Sequence, residues 1–478
     1  MHTTTQPLSN IKSRGALLGV LLVAQLMVIL DISAVNVALP DMARDLGIAG
    51  GDVGWAITSY SLVFGSLLLL GGRAADVLGR RRVFLTGLGV FTISSLASAL
   101  APSEAVLFAA RAGQGLGGAL LSPAALSIIT SAFQGPERAK ALGAWGAVGG
   151  AGAAIGVLLG GVLTELDWRA IFLINLPVGL LLAAAVPKVV SADPAPPKWR
   201  GLDLRGAAIA TTSLAALVYA LSQADSAGWA STQTLGLGGA ALAGLTGFAL
   251  LERRTQRPLL QIERLSERAI GGGFVMMLAA SAVLFGSFLL SSLYLQHVLG
   301  MGPLETGLAF LPLAIAAGVG AHLGNHLISH GGVRVPMAAG FAVAAGGLLL
   351  LAGVNARGSY AADVLPGMVI TGVALGVVLV SVAVSVLTGA GEEETGMLSG
   401  LNTTGHEIGG SLGIAVLATI AAAAGGGEGA ALAGGIGDAF LAAGIIAILA
   451  SLGALTLLPS AKSFLPKLRL APSSMPLH

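Results

Sequence analysis

Apolar runs of about 18 residues or more recur from one end of this 478-residue chain to the other, each long enough to cross a bilayer as a helix. Between them no stretch of soluble-domain size remains. Charge agrees: only 10% of residues are Asp, Glu, Lys or Arg, 55% are hydrophobic, and the mean hydropathy is +0.87. A water-soluble enzyme is therefore excluded, and the chain reads as an all-α polytopic membrane protein. The absence of cysteine removes disulfides, thiolate catalysis and Cys-ligated zinc together. A net charge of +2 is too small to imply nucleic acid, and the 71 glycines suit helices packed closely through small residues.

Taking apolar stretches bounded by charges, Pro or Gly clusters, the spans fall near 15–38, 53–71, 83–101, 105–132, 140–163 and 169–187. A polar, Pro-rich link from Ser191 to Arg200 leads into two more, near 204–223 and 234–251. After a charged segment at 252–268, six others follow near 270–296, 304–328, 335–353, 361–387, 397–423 and 436–458, making fourteen. The expected organisation is a six-helix bundle over 1–190, a linker with two additional helices over 191–251, a connector at 252–268, a second six-helix bundle over 269–459 and a tail at 460–478. The connector mixes Leu and Ile with charges, which fits either a segment lying along the membrane surface or a solvated link between halves.

An even number of spans puts both termini on one side. Of the 25 Lys and Arg, only Arg44, Arg169 and Arg357 fall on the opposite side, and Arg111 lies within a span. The termini are therefore expected in the cytoplasm, with the protein in the cytoplasmic (inner) cell membrane. The first span is too long and carries an Asp, so it is not read as a cleaved signal.

An ionisable side chain in mid-span costs about 2.5–3.5 kcal/mol on insertion scales, so each one asks for a partner or a task. Asp31 and Arg111 each lie about seven residues from the outer ends of oppositely running spans, hence at one depth, roughly 10 Å below the boundary. If the two helices adjoin, they can form a charge-assisted pair that holds Asp31 ionised until Arg111 is displaced or a proton arrives; the alternative is a permanent ion pair that only fixes packing. Glu407 and His406 lie near the midplane and point about 100° apart. Glu407 is either a site of proton uptake and release or a protonated carboxyl bonded to Asn402, Thr403 or backbone. His322, His326 and His330 form one helical stripe, but without accompanying carboxylates it reads as a solvated helix end, and no metal is expected.

Two apparent catalytic motifs fail on context. Gly409-Gly-Ser411-Leu-Gly413 has the spacing of a nucleophile elbow, and Gly113-Gln-Gly115-Leu-Gly-Gly118 that of a dinucleotide loop, yet both lie inside spans with no strand before them. No phosphate-loop motif is present, so uphill work must come from an ion gradient; no cofactor is expected.

Four stretches together resemble the major facilitator superfamily, in its fourteen-helix branch of drug:proton antiporters. Leu30-Asp31-Ile-Ser-Ala-Val35-Asn36-Val-Ala-Leu-Pro40 is similar to the first-helix motif of that branch. Gly72-Arg-Ala-Ala-Asp76-Val-Leu-Gly79-Arg80-Arg81-Arg82 is similar to the loop motif between helices 2 and 3. Arg111-Ala-Gly-Gln114-Gly115-Leu-Gly117 resembles the helix-4 motif, whose Arg takes part in proton transfer in the family. Gly152-Ala-Ala-Ile-Gly156-Val157-Leu-Leu-Gly160-Gly161 resembles the helix-5 antiporter motif, with Val157 where the family usually has Pro. Tyr294-Leu-Gln296-His-Val-Leu-Gly300 and the segment Gly405–Gly413 are also similar to this branch, and the inserted pair at 204–251 is its hallmark.

The resemblance implies two six-helix bundles rocking about a midplane cavity, with the added pair outside the transport core. It implies export of a hydrophobic or amphiphilic small molecule, such as a drug or antibiotic, against inward-moving protons. The partners are then small molecules, protons and the lipid bilayer, with no nucleic acid, and the protein acts as a monomer. Asp31, Arg111 and Glu407 are the expected proton-coupling groups. Gly72, Asp76, Gly79, Arg80, Arg81 and Arg82 are expected to form a conformational latch docking near the positive N-terminus of the thirteenth span. The corresponding second loop, near Gly324 to Arg334, lacks an acid at Ile328, so only the first half should latch strongly. Gln25, Asn36, Tyr60, Gln114, Met276, Met277, Phe285, Phe288, Tyr294, Asn402 and His406 are the candidate cavity residues, and Gly152, Gly156, Gly160 and Gly161 a packing stripe. Alternatives on the same fold are an exporter of an endogenous metabolite, lipid or siderophore and a nutrient:proton symporter; a membrane-embedded enzyme has no catalytic set to support it.

Overall fold

Helices in a bilayer gain nothing from hiding apolar surface from one another, so their packing depends on where small side chains let backbones meet. In the computed structural model, which describes residues 11–48, 54–133, 135–193, 203–256, 258–388, 391, 394–423 and 429–469, that rule organises the bundle. Six helices come first: α1 (Ile11–Leu46), α2 (Trp55–Leu78), α3 (Arg80–Ala99), α4 (Glu104–Ala132), α5 (Gly135–Leu166) and α6 (Ala170–Val189). The added pair is α7 (Leu204–Ala227) and α8 (Thr232–Glu252). Then come α9 (Arg268–Val298), α10 (Leu304–Gly331), α11 (Arg334–Leu351), α12 (Tyr360–Leu387), α13 (Thr395–Ala423) and α14 (Ala430–Leu457), and a short α15 (Ala461–Arg469). Among the described residues 13 of these are long and apolar enough to cross a membrane; α5, 32 residues long, stands where the remaining expected span was drawn and carries a shorter apolar stretch, Ile155–Leu166.

The two halves repeat one packing scheme. In the first, α2 and α3 pack on α4, and α1 on α5; in the second, α10 and α11 pack on α12, and α9 on α13. The equivalent close contacts are made by equivalent residues: a Cβ on Gly71 of α2 would overlap the Ala119 carbonyl of α4, and one on Gly320 of α10 the Val373 carbonyl of α12. The halves meet along α2 with α13 and α5 with α10. The added helix α7 lies against both α2 and α13, outside the two bundles, and α8 packs chiefly on α7.

Several details depart from the spans drawn from sequence. Helix α1 does not stop near residue 38 but runs through Pro40 to Leu46, because proline removes one backbone donor without obliging the chain to turn. Its extension is held where Asp45 accepts from Trp168 Nε1 at 3.1 Å and pairs with Arg169 at 2.5 Å. The connector neither lies free on the membrane nor is solvated throughout: Leu259 and Leu260 are buried, and a single turn, Ile262–Leu265, follows them. The tail at 460–478 begins as α15, anchored by the buried Phe464. Residues 194–200 of the predicted linker, and 470–478 of the tail, lie outside the described residues.

Candidate functional site

Asp31 of α1 and Arg111 of α4 are both buried, with 2% and 1% of their surface exposed, and their side chains are in direct contact through Arg111 Nη1 and Asp31 Oδ2. Burying two charges is tolerable only if their remaining donors and acceptors are met. Here they are. Gln114, one turn beyond Arg111, donates from Nε2 to Asp31 Oδ1 at 2.8 Å and accepts from Arg111 Nη1 at 2.9 Å. Asn175 of α6 donates to the same Asp31 Oδ1 at 3.0 Å, and Arg111 Nε donates to the Ala56 carbonyl of α2 at 2.9 Å. Ser95 of α3 accepts from both amides, at 3.1 Å from Gln114 and 2.9 Å from Asn175, while Ser98 donates to Gln114 Oε1 at 3.1 Å. The Tyr60 ring lies 4.5 Å beneath the guanidinium and Phe172 lies 5.7 Å from it, both oriented for cation–π attraction.

This network joins five helices through a single carboxylate. Arg111 and two amides are all aligned to the one charge on Asp31, so the packing of the five helices is tied to that carboxylate. Asn175, Ser95 and Ser98 were not identified from the sequence. Asn175 and Ser95 each lie about six residues from the outer ends of their spans, close to the depth of Asp31, so the depth argument extended to amides and hydroxyls reaches them.

On the face that carries the termini, Asp76 at the end of α2 accepts from the backbone N–H of Gly396 and of Met397, each at 2.8 Å, at the start of α13. The first N–H groups of a helix have no intrahelical acceptor, so a carboxylate there satisfies two of them and meets the positive end of the helix dipole. Arg80 donates to Thr395 Oγ1 at 2.8 Å beside it. Helices α2 and α13 approach so closely that a Cβ on Gly72 would overlap the Gly396 carbonyl. The backbone N–H groups of Arg81 and Arg82 donate to Asp193 beyond α6, at 3.2 and 3.0 Å, and Gly79 holds the intervening turn at a φ of 106°. Across the other contact between halves, Arg138 at the start of α5 donates to the Leu387 carbonyl of α12 at 3.3 Å. The second half thus contributes a carbonyl, not the acid missing at Ile328.

Glu407 of α13 faces α2, where its Cβ lies beside Gly65, and among the described residues its carboxyl has no hydrogen bond. Asn402 and Thr403 do not supply one: Thr403 donates to the Ser399 carbonyl, and Asn402 Oδ1 is buried without a donor. His406 points to α9 instead, with Nδ1 2.6 Å from Ser281 Oγ and its ring 5.1 Å from that of Phe285.

A family model described as Major Facilitator Superfamily matches residues 21–414. The chain belongs to the Major Facilitator Superfamily. Within it, the puromycin resistance protein pur8 of Streptomyces alboniger is 39% identical over 412 residues, covering 85% of this chain and 82% of that protein. The cephamycin export protein CmcT of Amycolatopsis lactamdurans is 39% identical over 415 residues, covering 86% and 85%. Among solved structures, the human organic anion transporter MFSD10 superposes with a TM-score of 0.67 at 17% identity, covering 93% of this chain and 100% of that one, which shows the shared fold. Members of the Major Facilitator Superfamily are transporters, and this chain is a multi-pass membrane transporter of small molecules, not an enzyme.

In this Major Facilitator Superfamily member the helix-5 glycines seat α1 against α5. A Cβ on Gly152 would press on Ile29, one on Gly156 would overlap Ser33, and one on Gly160 would crowd Ala34, while Gly161 is only partly buried, one position off that stripe. Gly156→Leu should therefore force α1 away from α5, at about 1–3 kcal/mol of overpacking, and lower the midpoint of thermal unfolding in detergent; an unchanged midpoint would show that the interface yields.

The expected cavity residues divide by exposure. Asn36 is exposed, and Gln25, Phe285, Phe288 and His406 are partly open, although Gln25 accepts from Ser122 at 2.8 Å and Phe288 stacks on Phe310 at 4.2 Å. Tyr60, Gln114, Met276, Met277 and Tyr294 are instead buried within helix contacts: Tyr60 under Arg111, Gln114 in the Asp31 network, and Tyr294 bonded to the Asn355 carbonyl at 2.7 Å. Asn402 is buried as well. His322, His326 and His330 are exposed, and no cluster of three or more metal-ligating side chains occurs among the described residues.

Proposed function

We propose that this chain exports hydrophobic or amphiphilic small molecules of the antibiotic class across the cytoplasmic membrane, each exchanged for inward-moving protons by alternating access. The observation that carries the reading is the Asp31 carboxylate, buried and gathered by Arg111, Gln114 and Asn175 from two other helices. Such a group binds a proton only by releasing Arg111, which makes its protonation a conformational event. Glu407, beside Gly65 of α2 and without a hydrogen bond among the described residues, is the second proton carrier in this reading. The segregation of Lys and Arg supports cytoplasmic termini, and the bonds made by Asp76, Arg80 and Arg138 at that face fit a state closed toward the cytoplasm. The names of the puromycin and cephamycin relatives support antibiotics as the first cargo to try.

The test is substrate-driven proton movement in everted vesicles from a pump-deficient host, with puromycin and a cephamycin as first substrates. Wild-type protein should collapse a preformed pH gradient on addition of substrate, and Asp31→Asn should not, while remaining folded and membrane-inserted. Undiminished gradient-driven transport by Asp31→Asn would sink the coupling assignment.

A further inference from the structure

Where the added helices meet the connector, two carboxyls face each other with no donor between them. Asp203 caps α7, its Oδ1 accepting from the backbone N–H of Arg205 at 3.1 Å and of Gly206 at 3.0 Å. Glu252 ends α8, is 2% exposed, and accepts at Oε2 from the backbone N–H of Leu260 at 3.0 Å. The other two oxygens, Asp203 Oδ2 and Glu252 Oε1, are buried without a donor among the described residues, and both point into one space: a Cβ on Gly206 would lie 2.7 Å from the first and closer still to the second. They converge over Gly206, where any Cβ would collide with both.

Two carboxylate oxygens are acceptors only, and in a dry site they repel unless a positive charge or a proton joins them. Among the described residues nothing cationic does so. Of the neighbouring cations, Arg205, Arg253 and Arg254 are exposed and Arg257 lies outside the described residues, while the connector presents the backbone N–H of Leu260.

We propose that Asp203 and Glu252 form a proton-binding site in which one shared proton bridges the two carboxyls and keeps the connector docked on α13. The mechanical path is short. Leu260 is held by Glu252; the next residue, Gln261, donates its backbone N–H to Met397 Sδ at 3.4 Å; and Arg264 binds Glu394, with Nε 3.3 Å from Oε1. Met397 is also where Asp76 grips the start of α13. Burial opposes the charge on Arg264, but its hydrogen bonds to Glu267 and Glu394 outweigh that and hold it above the usual guanidinium range, so this clasp stays charged as pH changes. The carboxyl pair is the element that responds. As pH rises the shared proton leaves, two like charges face each other in a dry site, Glu252 withdraws, and the Leu260 N–H is released. The site stands independently of whether the chain exports antibiotics, because it follows from α7, α8 and the connector alone.

The full chain in lipid nanodiscs provides the test, read by infrared spectroscopy of protonated carboxyl groups and by hydrogen exchange of residues 258–266 corrected for intrinsic rate. Glu252→Gln supplies an amide that donates to Asp203 while still accepting from Leu260, and Asp203→Asn does the same from the other side while still capping α7. Wild type should show a protonated-carboxyl band that titrates away with rising pH and is missing from both variants. Exchange of the connector should rise by about tenfold per pH unit above the midpoint in wild type, the slope of one linked proton, and stay flat in both variants. A band unchanged by either substitution, or connector exchange with the same pH dependence in all three proteins, would overturn the assignment. So would recovery of alkaline protection on adding sodium or calcium at constant ionic strength, which would make the pair a metal-cation site.

Discussion

Arg111→Ala should abolish transport and lower stability by about 3–5 kcal/mol, because it leaves the Asp31 carboxylate buried without a counterion. The geometry makes the loss larger than that of one ion pair. The same guanidinium satisfies the Ala56 carbonyl and Gln114 Oε1 and carries the cation–π contact with Tyr60. Arg111→Lys tests which part matters. Lysine keeps the charge but has no planar fork, so it can neutralise Asp31 while giving up the bonds to the Ala56 carbonyl or to Gln114 Oε1. Thermal unfolding in detergent should then recover most of the way toward wild type in Arg111→Lys, with transport still impaired. If Arg111→Ala transports normally at wild-type stability, Arg111 has no role in either coupling or packing.

Asp76→Ala should shift the protein away from the closed arrangement at the face bearing the termini. Two charge-assisted hydrogen bonds to Gly396 and Met397 are lost, each worth about 1.5–3 kcal/mol in favourable geometry, for a shift of roughly two to four orders of magnitude between states. The cysteine-free chain lets this be measured by spin labels on Lys188→Cys and Lys462→Cys, exposed positions in the two halves. The variant should show a longer interlabel distance than the otherwise native protein. An unchanged distribution would mean that close packing at Gly72 and the Arg138 contact hold the halves without Asp76.

Asp31 and Arg111 were legible in the sequence because a charge in mid-span is rare and costly, and two at matching depths of antiparallel helices invite one another. Their amide and hydroxyl partners were not, since Asn, Gln and Ser are common in membrane helices and carry no such cost. The docking of Asp76 at the start of α13 followed from charge near a helix N-terminus, whereas the division of labour among Arg80, Arg81 and Arg82 did not, because three adjacent arginines differ only in direction. Tyr60 and Tyr294 were grouped with cavity residues by type; burial depends on which neighbour each faces, and helical position alone leaves that open. Asp203 and Glu252 stand at span ends, where charges are ordinary, so nothing in the order of residues marks them as facing each other.

What the sequence determined by itself is the set of spans, the side on which Lys and Arg gather and the few intramembrane charges. These follow from transfer of single side chains between water and hydrocarbon, which each residue carries wherever it sits. The tertiary structure alone decided partnership: that Asn175 of α6 and Ser95 of α3 complete the Asp31 cluster, that α7 lies against both halves, and that two carboxyls separated by 49 positions come together over Gly206. Hydrogen bonds and close backbone contacts act over a few ångströms between helices distant in sequence, so their pairing exists only once the bundle is assembled.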